Sequence, residues 1–308
     1  MRVALIGYGF AGKTIHAPLL RSVAGLDLVQ IAHRNQVEDV FANPTVELVV
    51  ISTPNATHFD LAHRALSAGK HVVIDKPFTV TVEEGRQLIA LAAERGLFLS
   101  VFHSRRWDAD FLTVRALLAG GELGELMHFE SHYDRYRPKV QDRWREQAGP
   151  GSVIWYDLGS HLVDQALQLF GTPDSICGDL AIQREGGAAV DYFHVVLRYG
   201  KMRAILHGSN LVAADPPRFI LHGTAGSFVK HGMDTQEPAL RRGELPGSPG
   251  WGIDPRYGTL TTATESRVVE TIPGDYRAFY EAVSRGENPV PAEQALQVIE
   301  VLSKATAG

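Results

Sequence analysis

The stretch that decides the fold stands at the start of the chain and reads Val3-Ala4-Leu5-Ile6-Gly7-Tyr8-Gly9-Phe10-Ala11-Gly12. Four apolar residues lead directly into a Gly-x-Gly-x-x-Gly turn, and a helical pattern follows over residues 11–20, where we expect Pro18 to bend or end the helix. The first glycine permits a tight turn, the second lets the backbone approach a pyrophosphate, and the third lets the helix pack closely on the strand. This context predicts a dinucleotide-binding turn; the alternative is a glycine-rich turn that binds no ligand.

The first hundred residues alternate between short apolar runs and amphipathic segments. The predicted strands cover residues 3–6, 28–32, 48–52, 71–74 and 97–102, and further helices are predicted over 58–68 and 82–95. This alternation is typical of a parallel sheet that is covered by helices on both faces. Only 11 residues, 35–45, connect the second strand to the third, close to the minimum of about 10–12 for a crossover with its helix. We therefore hypothesise that residues are missing from this connection near 35–37.

The pattern changes after Ser104. Helices are predicted over 110–118, 160–170, 276–284 and 292–303, and alternating strands over 126–133, 175–182, 189–199, 202–209, 218–222 and 227–230. Strands joined by short turns indicate an antiparallel sheet. The predicted fold class is α/β plus α+β. An N-terminal Rossmann domain with a parallel sheet covers residues 1–104, and a domain built on an open, mostly antiparallel sheet covers 105–308.

The composition excludes several classes of function. The 308 residues carry a net charge of −5, whereas general nucleic-acid binding requires a basic surface. No apolar stretch approaches the roughly 20 residues that a membrane helix needs, and the start of the chain has no signal-peptide pattern. With Cys177 as the one cysteine, no intramolecular disulfide can form, which fits a cytoplasmic location. The 13 histidines show no spacing typical of metal ligands, so no metal site is predicted.

Lys76 follows the fourth predicted strand, within Asp75-Lys76-Pro77. Ligands of open parallel sheets bind at the carboxyl ends of the strands. A lysine at this position can donate a hydrogen bond to a substrate hydroxyl or oxyanion, or shuttle a proton. The alternative is a solvated lysine at the end of a strand.

A second cluster contains Asp157 and His161, whose spacing of four places both side chains on one helix face. A carboxylate beside an imidazole can set its tautomer and raise its basicity. The alternative is a helix cap at Asp157 and a packed histidine at 161. A third group, at 102–107, 133–137 and 143–145, combines aromatic and arginine side chains that suit a polyhydroxylated or anionic small ligand, although we interpret most of these arginines as surface charge plus interface packing.

Taken together, these motifs resemble the glucose–fructose oxidoreductase/inositol dehydrogenase (Gfo/Idh/MocA) family over essentially the whole chain. The anchors are the glycine turn, Thr53-Pro54-Asn55-Ala-Thr-His58, Asp75-Lys76-Pro77 and Asp157-Leu-Gly-Ser-His161. The family usually has Glu-Lys-Pro at the lysine, so Asp75 is a mild departure. The segments 13–19, 75–80, 105–111 and 142–146 also resemble a narrower group that contains scyllo-inositol dehydrogenases.

The resemblance implies roles for individual residues. Lys76, Asp157 and His161 would be catalytic: His161 as general base or acid for the hydroxyl proton, Lys76 polarising the substrate oxygen, and Asp157 orienting substrate and histidine. The implied cofactor-binding residues are Gly7, Gly9, Phe10, Ala11, Gly12, His33, Arg34, Thr53, Pro54, Asn55, His58 and Lys76. The candidate substrate residues are His103, Tyr133, Arg135, Trp144 and Tyr156.

The end of the second strand bears on the choice of cofactor. NAD-specific folds usually have an acidic residue there, which binds the ribose 2′-hydroxyl. This chain instead has His33-Arg34-Asn35, and Arg34 can pair with a 2′-phosphate. We therefore expect NADP to be preferred over NAD; the alternative is that Arg34 is merely solvated.

The resemblance predicts an enzyme that transfers a hydride between the cofactor and a secondary alcohol or ketone of a cyclitol or sugar, similar to scyllo-inositol. The alternatives are a dehydrogenase of another sugar or sugar acid, a cofactor-sensing regulator without catalysis, and an interaction protein. Because an open sheet leaves a large face to be covered, a homodimer or homotetramer is expected, as in the family.

Overall fold

The computed structural model describes residues 1–141, 146, 149, 151 and 153–306. The chain divides into two compact units. The first comprises 1–104, 236–251 and 275–299, and the second comprises 105–235, 252–274 and 300–308. Two later segments thus join the N-terminal residues in the first unit, and helix α9 (Ala292–Ala305) belongs in part to each unit. The assignment of cofactor binding to 1–104 and of substrate binding to 105–308 stays a prediction.

The first unit contains a five-stranded parallel sheet with the strand order β2-β1-β3-β4-β5. Its strands are β1 (Arg2–Ile6), β2 (Asp27–Ala32), β3 (Leu48–Ile51), β4 (His71–Asp75) and β5 (Leu99–Phe102). The apolar residues of β3 and the middle of β4 are fully buried, as expected for central strands covered on both faces. The predicted Rossmann sheet is confirmed. In this order the crossovers reverse direction between β1 and β3, where ligands of such sheets bind.

The helices of the first unit begin with a π-helical turn, Gly12–His16, which continues directly into α1. The helices are α1 (Ala17–Ser22), α2 (Val37–Ala42), α3 (His58–Ser67), α4 (Val82–Arg95), α7 (Gln236–Arg241) and α8 (Arg277–Ser284). The first helix does not end at Pro18, as was one of the two expectations, but continues to Ser22. Pro18 lies in the first turn of α1, where a missing backbone N–H is tolerated.

Helix α4 has the predicted bounds because both of its ends are marked in the sequence. The Thr81 hydroxyl accepts a hydrogen bond from the Glu84 amide at 3.2 Å, and the Glu84 carboxylate accepts one from the Thr81 amide at 3.1 Å. This capping box satisfies two backbone donors at the start of the helix. Gly96 ends the helix in the left-handed conformation.

The short connection between β2 and β3 is spanned by a 3₁₀ turn, Arg34–Gln36, followed at once by α2. The turn is closed by a hydrogen bond from the Gln36 amide to the His33 carbonyl at 2.9 Å, and by one from the His33 amide to the Gln36 side chain at 3.1 Å. A helix of six residues therefore completes the crossover at the length present in this chain.

The second unit is built on an eight-stranded sheet with the order β13-β12-β11-β10-β6-β9-β8-β7. The strands are β6 (Leu126–His132), β7 (Ser175–Ala181), β8 (Tyr192–Tyr199), β9 (Met202–Ser209), β10 (Pro217–Gly223), β11 (Gly226–His231), β12 (Gly258–Thr262) and β13 (Ser266–Val269). Neighbouring strands are antiparallel except for β6 and β9, which are parallel. The predicted open, mostly antiparallel sheet is confirmed.

One face of this sheet is apolar and buried. Phe129 of β6 packs edge-on against Phe170 of helix α6 (Ser160–Phe170) at 5.1 Å between ring centroids. Phe193 of β8 packs against the buried Trp155 at 4.9 Å. Alternate residues of these strands point to the opposite face, because side chains alternate along a strand.

Sequence reasoning gave no bounds for four elements, α2, α7, β12 and β13. It also placed two strand starts too early, since β5 begins at Leu99 rather than at 97 and β8 begins at Tyr192 rather than at 189. The other helix of the second unit, α5, spans Ala109–Ala119. No helix within the described ranges combines the length and the apolar character needed to cross a membrane.

Candidate functional site

The glycine turn lies at the carboxyl end of β1, between the ends of β2 and β3. Gly7 has φ of +94°, and its amide donates a hydrogen bond to the Ala32 carbonyl at 3.1 Å. A methyl group on Gly7 would lie 2.2 Å from the Ser52 carbonyl oxygen, and one on Gly12 would lie 2.0 Å from the Gly7 carbonyl oxygen. The first and third glycines are therefore required by the backbone of the turn itself.

Gly9 differs from both of these glycines. A methyl group on Gly9 would meet no protein atom within 4 Å, so the turn leaves open space at this residue. The Lys13 amide donates to the Gly9 carbonyl at 2.9 Å, which places Gly9 at the start of the helical segment. Open space beside a helix N-terminus fits the pyrophosphate of a dinucleotide. Next to it, Ala11 is half-buried and the exposed ring of Phe10 lies 4.6 Å below the Arg241 guanidinium.

His33 and Arg34 follow β2 directly, and both are exposed. The ring of Tyr8, from the glycine turn, meets the His33 ring edge-on at 6.3 Å between centroids. No acidic residue stands within 33–36, where an NAD-specific site would place one. The end of β2 therefore presents a basic side chain close to the glycine turn.

The loop after β3 carries Thr53, Pro54 and the buried Asn55. The Thr57 hydroxyl lies 2.7 Å from both the Thr53 hydroxyl oxygen and the Pro54 carbonyl oxygen, which closes the loop into a turn. His58 is fully buried behind this loop: its Nδ1 lies 2.8 Å from the Pro77 carbonyl and its Nε2 lies 3.0 Å from the Thr53 carbonyl. Burial lowers the pKa of His58, and its ring lies between the loops after β3 and β4. Its role in lining the cofactor cleft stays a prediction.

Lys76 follows β4, and the Asp75 carboxylate accepts a hydrogen bond from the Lys76 amide at 2.9 Å. The other Asp75 oxygen lies 3.6 Å from Nε2 of the buried His16, whose Nδ1 lies 2.6 Å from the Tyr280 hydroxyl. Burial acts to raise the pKa of Asp75, but His16, the Lys76 charge and His58 outweigh it and hold this pKa below its usual range. The ionised carboxylate therefore fixes the backbone at Lys76.

Sequence reasoning missed His16 and Tyr280. Burial, together with the charge of Asp75, raises the pKa of Tyr280 well above its ordinary value, so Tyr280 stays neutral beside His16. His16 stands in the segment 13–19 that carries the family resemblance, but Tyr280 comes from α8 near the other end of the chain. No local pattern signals such a long-range pair.

Asp157 and His161 lie in the second unit, where a second π-helical turn, Trp155–Gly159, leads into α6. Asp157 lies inside this turn, whose N-cap is Ile154, so the interpretation of Asp157 as a helix cap is wrong. Gly159 is required because a methyl group there would lie 2.1 Å from the Trp155 ring. π-Helical turns are rare and are frequent at functional sites.

Tyr133 connects several of the predicted substrate residues. Its ring is stacked on the His161 ring at 6.4 Å between centroids, and the Arg135 guanidinium lies 5.0 Å from its centre. Arg105, which was not predicted as a site residue, donates a hydrogen bond to the Tyr133 hydroxyl at 3.0 Å. The second unit thus gathers an imidazole, a phenol and two guanidinium groups.

Arg105 and Arg106 are buried, so the surface-charge part of that interpretation is wrong for these two arginines. Arg105 forms an ion pair with Asp108 at 3.2 Å. Arg106 donates to Asp164 of α6 through Nε at 2.9 Å and Nη2 at 2.6 Å. Because buried charges must be paired, these bonds hold the segment that follows Ser104 against α6.

The remaining predicted residues are placed as follows. Tyr156 is half-buried next to Asp157, and burial raises its pKa. His103 is buried directly after β5, in the first unit. Trp144 lies outside the residues that the structure describes. Lys76 belongs to the first unit and Asp157 and His161 belong to the second, so a single catalytic group made of all three stays a prediction.

Two family profiles match the chain. The profile described as "Oxidoreductase family, NAD-binding Rossmann fold" matches residues 1–103, and that described as "Oxidoreductase family, C-terminal alpha/beta domain" matches residues 115–307. Both bear the Gfo/Idh/MocA family name. The chain is 52% identical to the uncharacterized oxidoreductase YdgJ of Escherichia coli, over 98% of this chain and 94% of that protein.

Two further similarities extend over the whole chain. The scyllo-inositol 2-dehydrogenase (NADP(+)) IolW of Bacillus subtilis is 41% identical, over 99% of this chain and 92% of that protein. A solved structure of a Yersinia pestis protein is 46% identical and matches with a TM-score of 0.96, over 100% of this chain and 94% of that one. The chain therefore belongs to the Gfo/Idh/MocA family of oxidoreductases.

Proposed function

We propose that the protein is an NADP-preferring dehydrogenase that interconverts a secondary alcohol and a ketone of a cyclitol or sugar similar to scyllo-inositol. The observation that carries the proposal is the glycine turn at the switch point of the parallel sheet, with open space at Gly9. When bound, the nicotinamide supplies the hydride chemistry, and the protein's residues position the substrate and move its proton.

The proton steps are assigned to three residues. His161 accepts the hydroxyl proton during oxidation and returns it during reduction, as a general base or acid. Lys76, fixed through Asp75, donates a hydrogen bond to the substrate oxygen. Asp157 orients the imidazole and the substrate. The substrate hydroxyls are bound in the region of Tyr133, Arg135 and Tyr156, because guanidinium and phenol groups supply several donors for a polyhydroxylated ligand.

The NADP preference is supported by the exposed Arg34 and by the lack of an acidic residue in the turn 33–36. A guanidinium pairs with phosphate through two hydrogen bonds, whereas a carboxylate at this place would repel it. Among relatives, IolW is named as NADP-dependent. We also propose that the enzyme works in the cytoplasm as a homodimer or homotetramer.

The first experiment follows absorbance at 340 nm with the purified protein, NADP or NAD, and a panel of scyllo-inositol, myo-inositol and common aldoses. We expect turnover of scyllo-inositol that is faster with NADP. Activity on an aldose alone would contradict the cyclitol assignment but not the dehydrogenase. Tight cofactor binding without turnover of any polyol would contradict the dehydrogenase and favour a cofactor-sensing regulator.

Arg34 gives a direct test of the cofactor preference. We expect Arg34→Ala to raise KM for NADP by about 10-fold or more, since hydrogen bonds to charged groups contribute about 1.5–3 kcal/mol, and to leave KM for NAD unchanged. Arg95→Ala, on the exposed end of α4, serves as the control that removes one positive charge elsewhere. Equal KM values for both cofactors in the unmodified protein would contradict the preference.

A further inference from the structure

A row of three histidines crosses the second sheet on the face opposite to α6. His132 of β6 pairs directly with His207 of β9, which pairs directly with His194 of β8. The ring centroids of His132 and His207 are 5.2 Å apart, and those of His207 and His194 are 5.7 Å apart. The row therefore gathers several potential metal ligands on one surface of the second unit.

Asp134, two residues beyond His132, places its carboxylate between two of these rings. Oδ2 lies 3.3 Å from Nδ1 of His132, and Oδ1 lies 3.4 Å from Nε2 of His207. One ligand atom from each of the three residues lies within 4.8 Å of the others. The Asp134 side chain is only 3% exposed in the single chain, whereas the two histidine side chains are 17% and 16% exposed.

The contacts of Asp134 with the two imidazoles are longer than the strongest hydrogen bonds of the cluster, although the contact with His132 is within hydrogen-bond distance. Charge-assisted hydrogen bonds are about 2.7–2.9 Å long. The Glu130 carboxylate accepts bonds of that kind from His132 at 2.8 Å and from His128 at 2.6 Å, whereas the contacts of Asp134 with the imidazoles are longer. A tetrahedral ion with ligands at about 2.0–2.1 Å has ligand atoms about 3.3–3.4 Å apart. Each imidazole nitrogen lies at that distance from one oxygen of Asp134, Oδ2 for His132 and Oδ1 for His207.

The ligands are also oriented by outer contacts. Nε2 of His132 lies on the Glu130 carboxylate, which is the carboxylate–histidine arrangement common behind metal ligands. The Ser209 amide donates a hydrogen bond to Oδ1 of Asp134 at 2.9 Å. Nδ1 of His207 is buried and has no hydrogen-bond partner within the described ranges. Outer contacts therefore orient His132 and Asp134 but not His207. Two of the three ligands are thus held in place before any ion binds.

We propose that His132, Asp134 and His207 bind one divalent transition-metal ion of the zinc class, with water at a fourth position. Two imidazoles and one carboxylate are ligands that suit Zn²⁺, Co²⁺ and Ni²⁺. The sequence-based expectation of no metal site depended on spacing along the chain, which does not detect a ligand from a neighbouring strand. The ion would fix both residues that flank Tyr133, whose ring stacks on His161.

The test is calorimetric titration of the chelator-treated native protein with Zn²⁺. We expect one ion per chain. Asp134→Asn and His207→Gln should weaken binding more than Glu130→Gln does, for which a loss of about 10–100-fold is typical of an outer contact. His222→Gln, on the same face in β10 but outside the ligand set, should leave binding unchanged.

A second measurement is the visible spectrum with Co²⁺, which is intense for a tetrahedral ion and weak for an octahedral one. We expect the intense spectrum in the unmodified protein and its loss in Asp134→Asn. The unmodified protein and Glu130→Gln keep the test valid if a ligand variant fails to fold. No binding of Zn²⁺ at micromolar concentrations would overturn the proposal. Equal binding by all variants would also overturn it, since the ion would then be adsorbed on other histidines.

Discussion

We expect removal of the Lys76 side chain to impair catalysis much more than cofactor binding. The Lys76 backbone is held by the ionised Asp75 after β4, whereas the glycine turn follows β1. We expect Lys76→Ala to lower kcat by about 100-fold or more, as for the loss of a positioned acid–base group. Steady-state kinetics and a fluorescence titration with NADPH measure the two effects separately.

The dissociation constant of NADPH should stay within a few-fold of that of the unmodified protein. Lys201→Ala, in the exposed turn between β8 and β9, is the control for loss of a lysine. Unchanged turnover of Lys76→Ala would exclude this residue from the mechanism.

Asp75 gives a prediction about pH. Because its pKa is lower in the folded chain than the ordinary value of about 3.9, ionised Asp75 stabilises the fold at pH values above about 4. This contribution disappears as the pH falls through the lowered pKa. We expect Asp75→Asn to lower the free energy of unfolding at pH 6–7 and to match the unmodified protein more closely in acid, as measured by urea unfolding. A difference that grows toward low pH would contradict the network with His16.

At the scale of elements, the glycines between β1 and the first helix have two different roles. Gly12 is required by the packing of the turn, whereas Gly9 borders open space. Gly12→Ala places a methyl group against the Gly7 carbonyl and should destabilise the fold by about 1–3 kcal/mol, as overpacking does. Gly9→Ala meets open space, so we expect a change in stability of less than about 0.5 kcal/mol, but a clear loss of NADPH affinity. Urea unfolding and a binding titration of both variants check this. Unchanged affinity in Gly9→Ala would contradict the placement of the pyrophosphate.

The elements that were predicted well are marked by signals in their own sequence. Helix α4 has a capping box at one end and glycine at the other, and the buried strands of the first sheet are continuous apolar runs. β12 and β13 lack such signals: three of the four residues of β13 are exposed, because it is an edge strand paired only with β12. A strand with little buried surface has no clear hydrophobic pattern to detect.

At the scale of the whole molecule, the outer face of the second sheet leads to a prediction about assembly. Val196 of β8 and Ile205 of β9 pair directly on this face and are half-buried in the single chain. We expect a dimer or tetramer by light scattering, and fewer subunits for Val196→Glu, because a charge buried without a partner is costly. Ser67→Glu, exposed at the end of α3, should leave the mass unchanged. A monomeric unmodified protein would contradict the prediction.

Much of the molecule was determined by local sequence. The glycine turn, the alternating strands and helices of the first hundred residues, and the change to an antiparallel sheet follow from short-range patterns, since strand and helix periodicities repeat within a few residues. The positions of Gly7, Gly12, Lys76, Asp157 and His161 at the ends of strands or in helical turns were predictable for the same reason.

Other features depended on tertiary structure. The contacts of His16 with Tyr280, of Arg105 with Tyr133, and of Asp134 with His207 join residues from different strands and helices. Burial, charge pairing and the separation of two ligand atoms are set by strand register and helix packing, which bring distant residues together. Sequence patterns alone therefore indicated a dinucleotide turn, and the resemblance of the motifs to a known family indicated an oxidoreductase. The buried network behind Asp75 and the proposed metal ligands became visible only when the folded sheets placed their side chains side by side.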